Sequence, residues 1–273
     1  MNTLLALAII LPVLPTEGQF ADGSPQFAVG SLQFARGMLT ANCQLPTENR
    51  PAYSKVKDIP LPPGFERLPA ADASFAAWLR NRPLKKSNTV YLYNGMPKRN
   101  QDAQFAVLDI SVGNEDLQQC ADAVMRLRAE YLYGQGRWNE IAFTDNNSKT
   151  YRYQNGNDRA AFNAYLRKVF SYCGTASLVR QLKPVPKLEN IVPGDVLIKG
   201  GYPGHAVIVM DVAINNKGEK IYLLAQSYMP AQDVHILKNP AGAGLSPWYK
   251  AVENQPVNTP EWVFTPGQLR RWQ

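Results

Sequence analysis

Cysteine and histidine are both scarce in this chain of 273 residues: Cys43, Cys120 and Cys173 are the cysteines, His205 and His235 the histidines. An odd, widely spaced trio is not a disulfide framework. Neither CxxC nor HExxH occurs, so metal-ligand spacing is missing and no metal or other cofactor is expected. A basic run is also lacking. Lys and Arg outnumber Asp and Glu by 29 to 22, but they are scattered in pairs such as Lys85-Lys86, Lys98-Arg99 and Arg270-Arg271, with no interleaved aromatics. That pattern reads as a solvated surface, and no nucleic-acid partner is expected. The apolar run from Leu4 to Leu14 is too short to cross a bilayer as a helix, so no integral membrane span is expected.

The run does fit the apolar part of a secretory signal over residues 1–17, and places the protein outside the cytoplasm, in the periplasm or envelope. Two features of such a signal are missing: no Lys or Arg comes before Arg36, and no small-x-small cleavage site follows. Residues 18–50 carry QFAxG three times at a period of seven (Gln19, Gln26, Gln33), too few units for a solenoid, and read as a leader. Asn42-Cys43-Gln44 resembles a lipidation site but has Asn where a small residue is expected. From Pro51 the composition changes, and one α+β domain over 51–273 accounts for the rest, with no second core or linker evident.

Within it, Asn114 to Tyr133 reads as a long helix. Asn114 is placed to cap it, with Glu115 and Asp116 as acids in the first turn. Leu117, Cys120, Ala121, Val124, Leu127 and Tyr131 recur at helical spacing, which puts Cys120 on the buried stripe in the second turn. Phe75–Leu79 and Asp158–Tyr172 read as further helices, and Ser177–Leu182 as a short one. Thr89–Tyr93 and Phe105–Val112 alternate as strands and suggest a hairpin. Val196–Lys199, His205–Asp211 and Lys220–Ser227 read as a series of strands. With a four-residue loop, Asn215 to Gly218, His205 lies opposite Tyr228, and Gln226 falls on the same face as His205, within side-chain reach.

A cysteine near a helix start, a histidine at a strand start and an amide to orient its ring are the parts a cysteine hydrolase needs. Each has a plainer reading: a small core cysteine, a loop histidine satisfying backbone groups, an ordinary strand glutamine. Cys173 is a rival nucleophile, since Gly174 and Thr175 suggest a helix start behind it; His235 reads as a surface residue, and the two together form a second possible site.

Gln119-Cys120 before a long helix, then Pro193-Gly194-Asp195, then Gly204-His205-Ala206-Val207, then Ala225-Gln226-Ser227 resemble the CHAP and NlpC/P60 branches of the papain-like amidases and peptidases. The resemblance implies a papain-like fold with a central helix on an antiparallel sheet, Cys120 as nucleophile, His205 as base and Gln226 as orienting residue. The implied substrate is a peptide or amide, such as a peptidoglycan peptide. The third position holds Gln where CHAP proteins usually carry Glu, and a helix-like segment containing Cys173 is interposed. The wider span from Ile59 to Trp272 also resembles a bacterial, often envelope-associated family known only as a domain of unknown function. A non-catalytic module that binds envelope polymers is the alternative function.

Overall fold

The computed structural model describes residues 53–242 and 244–273. The expected signal, the QFAxG leader and Cys43 lie outside the described residues. The helices are α1 (Phe75–Arg80), α2 (Cys120–Gly134), α3 (Arg159–Tyr172) and α4 (Thr175–Gln181). The strands in chain order are β1 (Phe65–Arg67), β2 (Gln104–Val107), β3 (Ala142–Thr144), β4 (Thr150–Arg152), β5 (Lys183–Pro184), β6 (Val196–Lys199), β7 (His205–Asn215), β8 (Lys220–Gln226), β9 (His235–Leu237), β10 (Tyr249–Lys250), β11 (Val257–Asn258), β12 (Val263–Phe264) and β13 (Leu269–Arg271).

The main sheet runs β2-β9-β8-β7-β6-β13-β5, with β1 on the far half of β7 and β10 beside β8; each of these pairings is antiparallel. The architecture is therefore α+β, as expected. Strand alternation sorts the sheet residues onto two faces. Ala206, Ile208, Met210, Leu223 and Ala225 pack with Ala121, Val124 and Leu127 of α2 and Phe162 and Leu166 of α3. Val207, Val209, Tyr222 and Leu224 pack on the other face with Val257, Phe264 and Leu269 from the C-terminal segment. Both faces are buried, which explains why β7 reads as a nearly unbroken apolar run.

Three local readings are corrected. The long helix begins at Cys120, not Asn114, with Gln119 as its N-cap. Residues 116–118 are held elsewhere: Asp116 Oδ1 accepts from Ala231 N at 2.7 Å, and Ser227 Oγ lies 2.9 Å from Gln118 O. Cys120 thus sits in the first turn. The expected hairpin of 89–93 with 105–112 does not form. Tyr91 and Leu92 bridge to Pro97 and Gln232, while β2 pairs with β9, whose apolar residues complete that edge of the sheet.

The turn after β7 is shorter than expected. Asn215 N donates to Glu219 O at 3.1 Å and Ile214 faces Lys220, which leaves a three-residue turn. A bulge then shifts the register between Val209 and Asp211, leaving Met210 as the extra residue, so Ile208 faces Ala225. Turn and bulge together restore the expected placement, and Gln226 shares the face of His205. The C-terminal segment covers one face of the sheet through Val257 and Phe264 and also contributes β13 to its interior, between β6 and β5.

Candidate functional site

His205 opens β7 and Gln226 closes β8, so both lie at one end of the sheet. His205 is 2 % exposed and Gln226 1 %. The His205 Nε2 to Gln226 Oε1 distance is 2.9 Å. Gln226 Nε2 lies 2.7 Å from Glu261 Oε2 and 3.4 Å from His235 Nε2, while His235 Nδ1 lies 2.9 Å from Asp233 O.

These contacts fix the proton positions by elimination. The Gln226 amide nitrogen must donate to the Glu261 carboxylate, so its oxygen is the acceptor, and His205 carries its proton on Nε2. His235 donates from Nδ1 to the Asp233 carbonyl and accepts on Nε2. One amide therefore fixes two imidazole tautomers, and the lone pair of His205 is on Nδ1, which has no hydrogen-bond partner among the described residues.

Glu261 is the member that the sequence reading missed. Its Oε2 accepts from Lys98 Nζ at 2.6 Å, and its Oε1 lies 3.3 Å from Asn100 Nδ2. The Lys98 side chain is only 7 % exposed, and burial lowers its pKa although Glu261 favours the charged form. Glu261 supplies at one remove the negative charge that Gln226 lacks. No motif marks it, since it lies in an irregular stretch 35 residues after Gln226. The aromatic wall also comes largely from this segment: the Tyr228, Trp262 and Phe264 rings lie 4.7, 5.2 and 5.9 Å from the His205 ring.

Cys120 approaches from the helix side. The backbone N–H groups of Ala121, of Cys120 itself and of Ala206, next in sequence to His205 on β7, favour its thiolate form. Ser227 Oγ, 2.9 Å from Gln118 O and 2.8 Å from Gln232 O, ties the helix start to the segment after β8. The structure thus brings His205 and Gln226 into direct contact and sets the Cys120 thiol against the backbone beside His205. No hydrogen bond joins the thiol to the His205 ring among the described residues.

The electrostatics describe a neutral site. Burial, with Asp122 adding, pushes the Cys120 thiol up to about 11, against which the three N–H groups act. Burial holds His205 down to about 4, opposed by its bond to Gln226 and by Glu261. The Asp122 carboxyl, buried at the third position of α2, is itself raised well above the ordinary range by burial; its Oδ2 accepts from Gln119 N at 3.0 Å.

The rival site is not assembled. His235 is fully buried, not on the surface, because β9 is an inner strand between β2 and β8. It shares the face of Gln226, while Cys173 packs among the residues of the opposite face, at the C-cap of α3. Burial pushes the Cys173 thiol up to about 12. Among the described residues, no group of three or more His, Cys, Asp or Glu is arranged to hold a metal ion, and no helix is long and apolar enough to cross a membrane.

Fold and site together define an α+β protein with a buried imidazole–amide–carboxylate chain at the end of an antiparallel sheet, beside a cysteine at a helix start. The family model described as "Domain of unknown function (4846)" matches residues 56–156 and 145–271, most of the chain, and the protein belongs to that family. No curated protein and no solved structure is detectably similar to it.

Proposed function

We propose that this protein is a papain-like cysteine hydrolase, an amidase or peptidase acting on peptidoglycan peptides or a related amide in the cell envelope. The observation that carries the reading is the 2.9 Å contact of His205 with a Gln226 amide pinned by Glu261, which leaves the Nδ1 lone pair of His205 as a base. In this reading the Cys120 sulfur attacks the carbonyl carbon while His205 Nδ1 takes the thiol proton. The oxyanion is met by N–H groups at the start of α2. The His205 imidazolium then protonates the leaving amine, and water hydrolyses the thioester. Because thiol and imidazole rest neutral, proton transfer accompanies attack and no thiolate–imidazolium pair is stored beforehand.

One observation favours a second reading, a non-catalytic module that binds envelope polymers: Cys120 is 8 % and His205 2 % exposed. Incubating peptidoglycan peptides with the native protein and with Cys120→Ala separates the two. Release of product by the native protein and its loss in a folded Cys120→Ala variant is the expected result. Undiminished release by Cys120→Ala overturns the assignment, and polymer binding without release by either protein supports the binding module.

A further inference from the structure

A groove of about 430 Å³ lies between the segment 111–118 and α3, with Arg126 of α2 also on its wall. Leu117 and Leu166 give it an apolar wall, and Gln118, Arg126, Arg159 and Arg167 a polar one. Its charges do not balance. Arg159 grips Glu130 through two contacts of 2.6 and 2.7 Å, and Arg167 pairs with Glu115. Arg126 is left with Glu130 Oε1 at 3.6 Å from its Nε, beyond hydrogen-bond reach.

Arg126 Nη1 does donate, to Ser111 O and to Gln118 Oε1. Its Nε has no partner among the described residues, and neither has Nε2 of Gln118, a residue only 1 % exposed. Two buried donors on adjoining groups, one of them a guanidinium that shares its Glu130 counterion with Arg159, call for an anionic acceptor. A carboxylate suits them, because its two oxygens can accept from two neighbouring N–H groups. Gln118 also joins the groove to the candidate site, since its carbonyl oxygen is held by Ser227, the residue after Gln226.

We propose that this groove is a subsite for a carboxylate carried by a peptide, with Arg126 and Gln118 as its donors. Placing that peptide as the substrate rests on the reading of Cys120 as nucleophile; carboxylate binding itself does not.

The test titrates the full-length Cys120→Ala protein by calorimetry with N-acetyl-alanyl-glutamate α-amide and with its glutamine counterpart, which differ only in the carboxylate. The glutamate peptide is expected to bind at least about tenfold tighter. Gln118→Glu sets a carboxylate of the chain's own against Arg126, and is expected to raise Tm and erase the preference. Asn163→Trp, at an exposed position of α3 on the groove, is expected to block binding with Tm unchanged.

Equal affinities for the two peptides, or a preference that survives both substitutions, overturns the subsite. The two proposals fail separately. A carboxylate preference alongside undiminished turnover by Cys120→Ala refutes the catalytic reading alone, while loss of turnover in Cys120→Ala with equal peptide affinities refutes the subsite alone.

Discussion

Lowering the pH from 7 to 5 charges histidine in the unfolded chain but not in the folded one. Burial holds His235 down to about 3, with Lys98 adding, and His205 down to about 4, against an ordinary value of 6.5. Between the folded and unfolded values the unfolded chain binds more protons, so stability rises with pH across that window and is lost on acidification. At about 1.4 kcal/mol per unit, each histidine removes about 2 kcal/mol between pH 7 and pH 5. Buried carboxyls act in the opposite sense. Burial raises Asp122 and Asp195, so the folded state holds their protons more tightly and gains on acidification. The histidine contribution is therefore read as a difference. Urea unfolding followed by tryptophan fluorescence at pH 5, 6 and 7 is compared for the native protein and His235→Asn. The variant is expected to be less stable at pH 7, yet to lose about 2 kcal/mol less on going to pH 5. Equal losses in the two proteins would refute a buried, neutral His235.

Glu261→Gln leaves the ammonium of Lys98 buried without its partner, and is expected to destabilise by about 3–5 kcal/mol in urea unfolding at pH 7. Adding Lys98→Met should recover part of that, and no recovery would argue against the pair as the cause. Burial holds Lys98 below its ordinary value, so the loss in Glu261→Gln should shrink as pH rises toward 10.5. Cys120 alkylation in the folded protein should keep accelerating up to about pH 10, whereas a free thiol levels off above about pH 8.5. A plateau below pH 8 would mean that the thiol is activated before substrate arrives.

Legibility from sequence followed how local the determinant was. Helices α1 and α3 were readable because their caps are near neighbours: Ser74 Oγ accepts from Ala77 N and Asp158 Oδ1 from Ala161 N. The start of α2 was misplaced because its limit is set from more than a hundred residues away, by Ser227 and Ala231 taking hold of Gln118 and Asp116. The partner of β2 was missed for the same reason, since β9 carries no hairpin signal toward it. His205 and Gln226 were found through motif and strand parity. Glu261 and Lys98, 163 positions apart in sequence, meet only through the tertiary fold and so left no local trace.

The contact of His205 with Gln226 depends on a count of unpaired residues, and that count can be tested. The expected hairpin had four residues outside the ladder, all in the turn. The structure also has four, three in the turn and Met210 in the bulge, so the same number of rungs separates His205 from Gln226. Deleting an unpaired residue leaves the rungs intact, whereas deleting a paired one slips the strand and turns its side chains to the other face. Deleting Met210 should therefore cost stability on the order of a lost core methionine, about 2–5 kcal/mol, and preserve the His205–Gln226 contact. Deleting Val212, which faces Tyr222, should destroy that contact. The hydrogen-bonded Nε2–H resonance of His205 in ring-nitrogen NMR reports on both. Its loss on deletion of Met210, in a protein that still folds, would show that the bulge sets the geometry of the site and not merely its register.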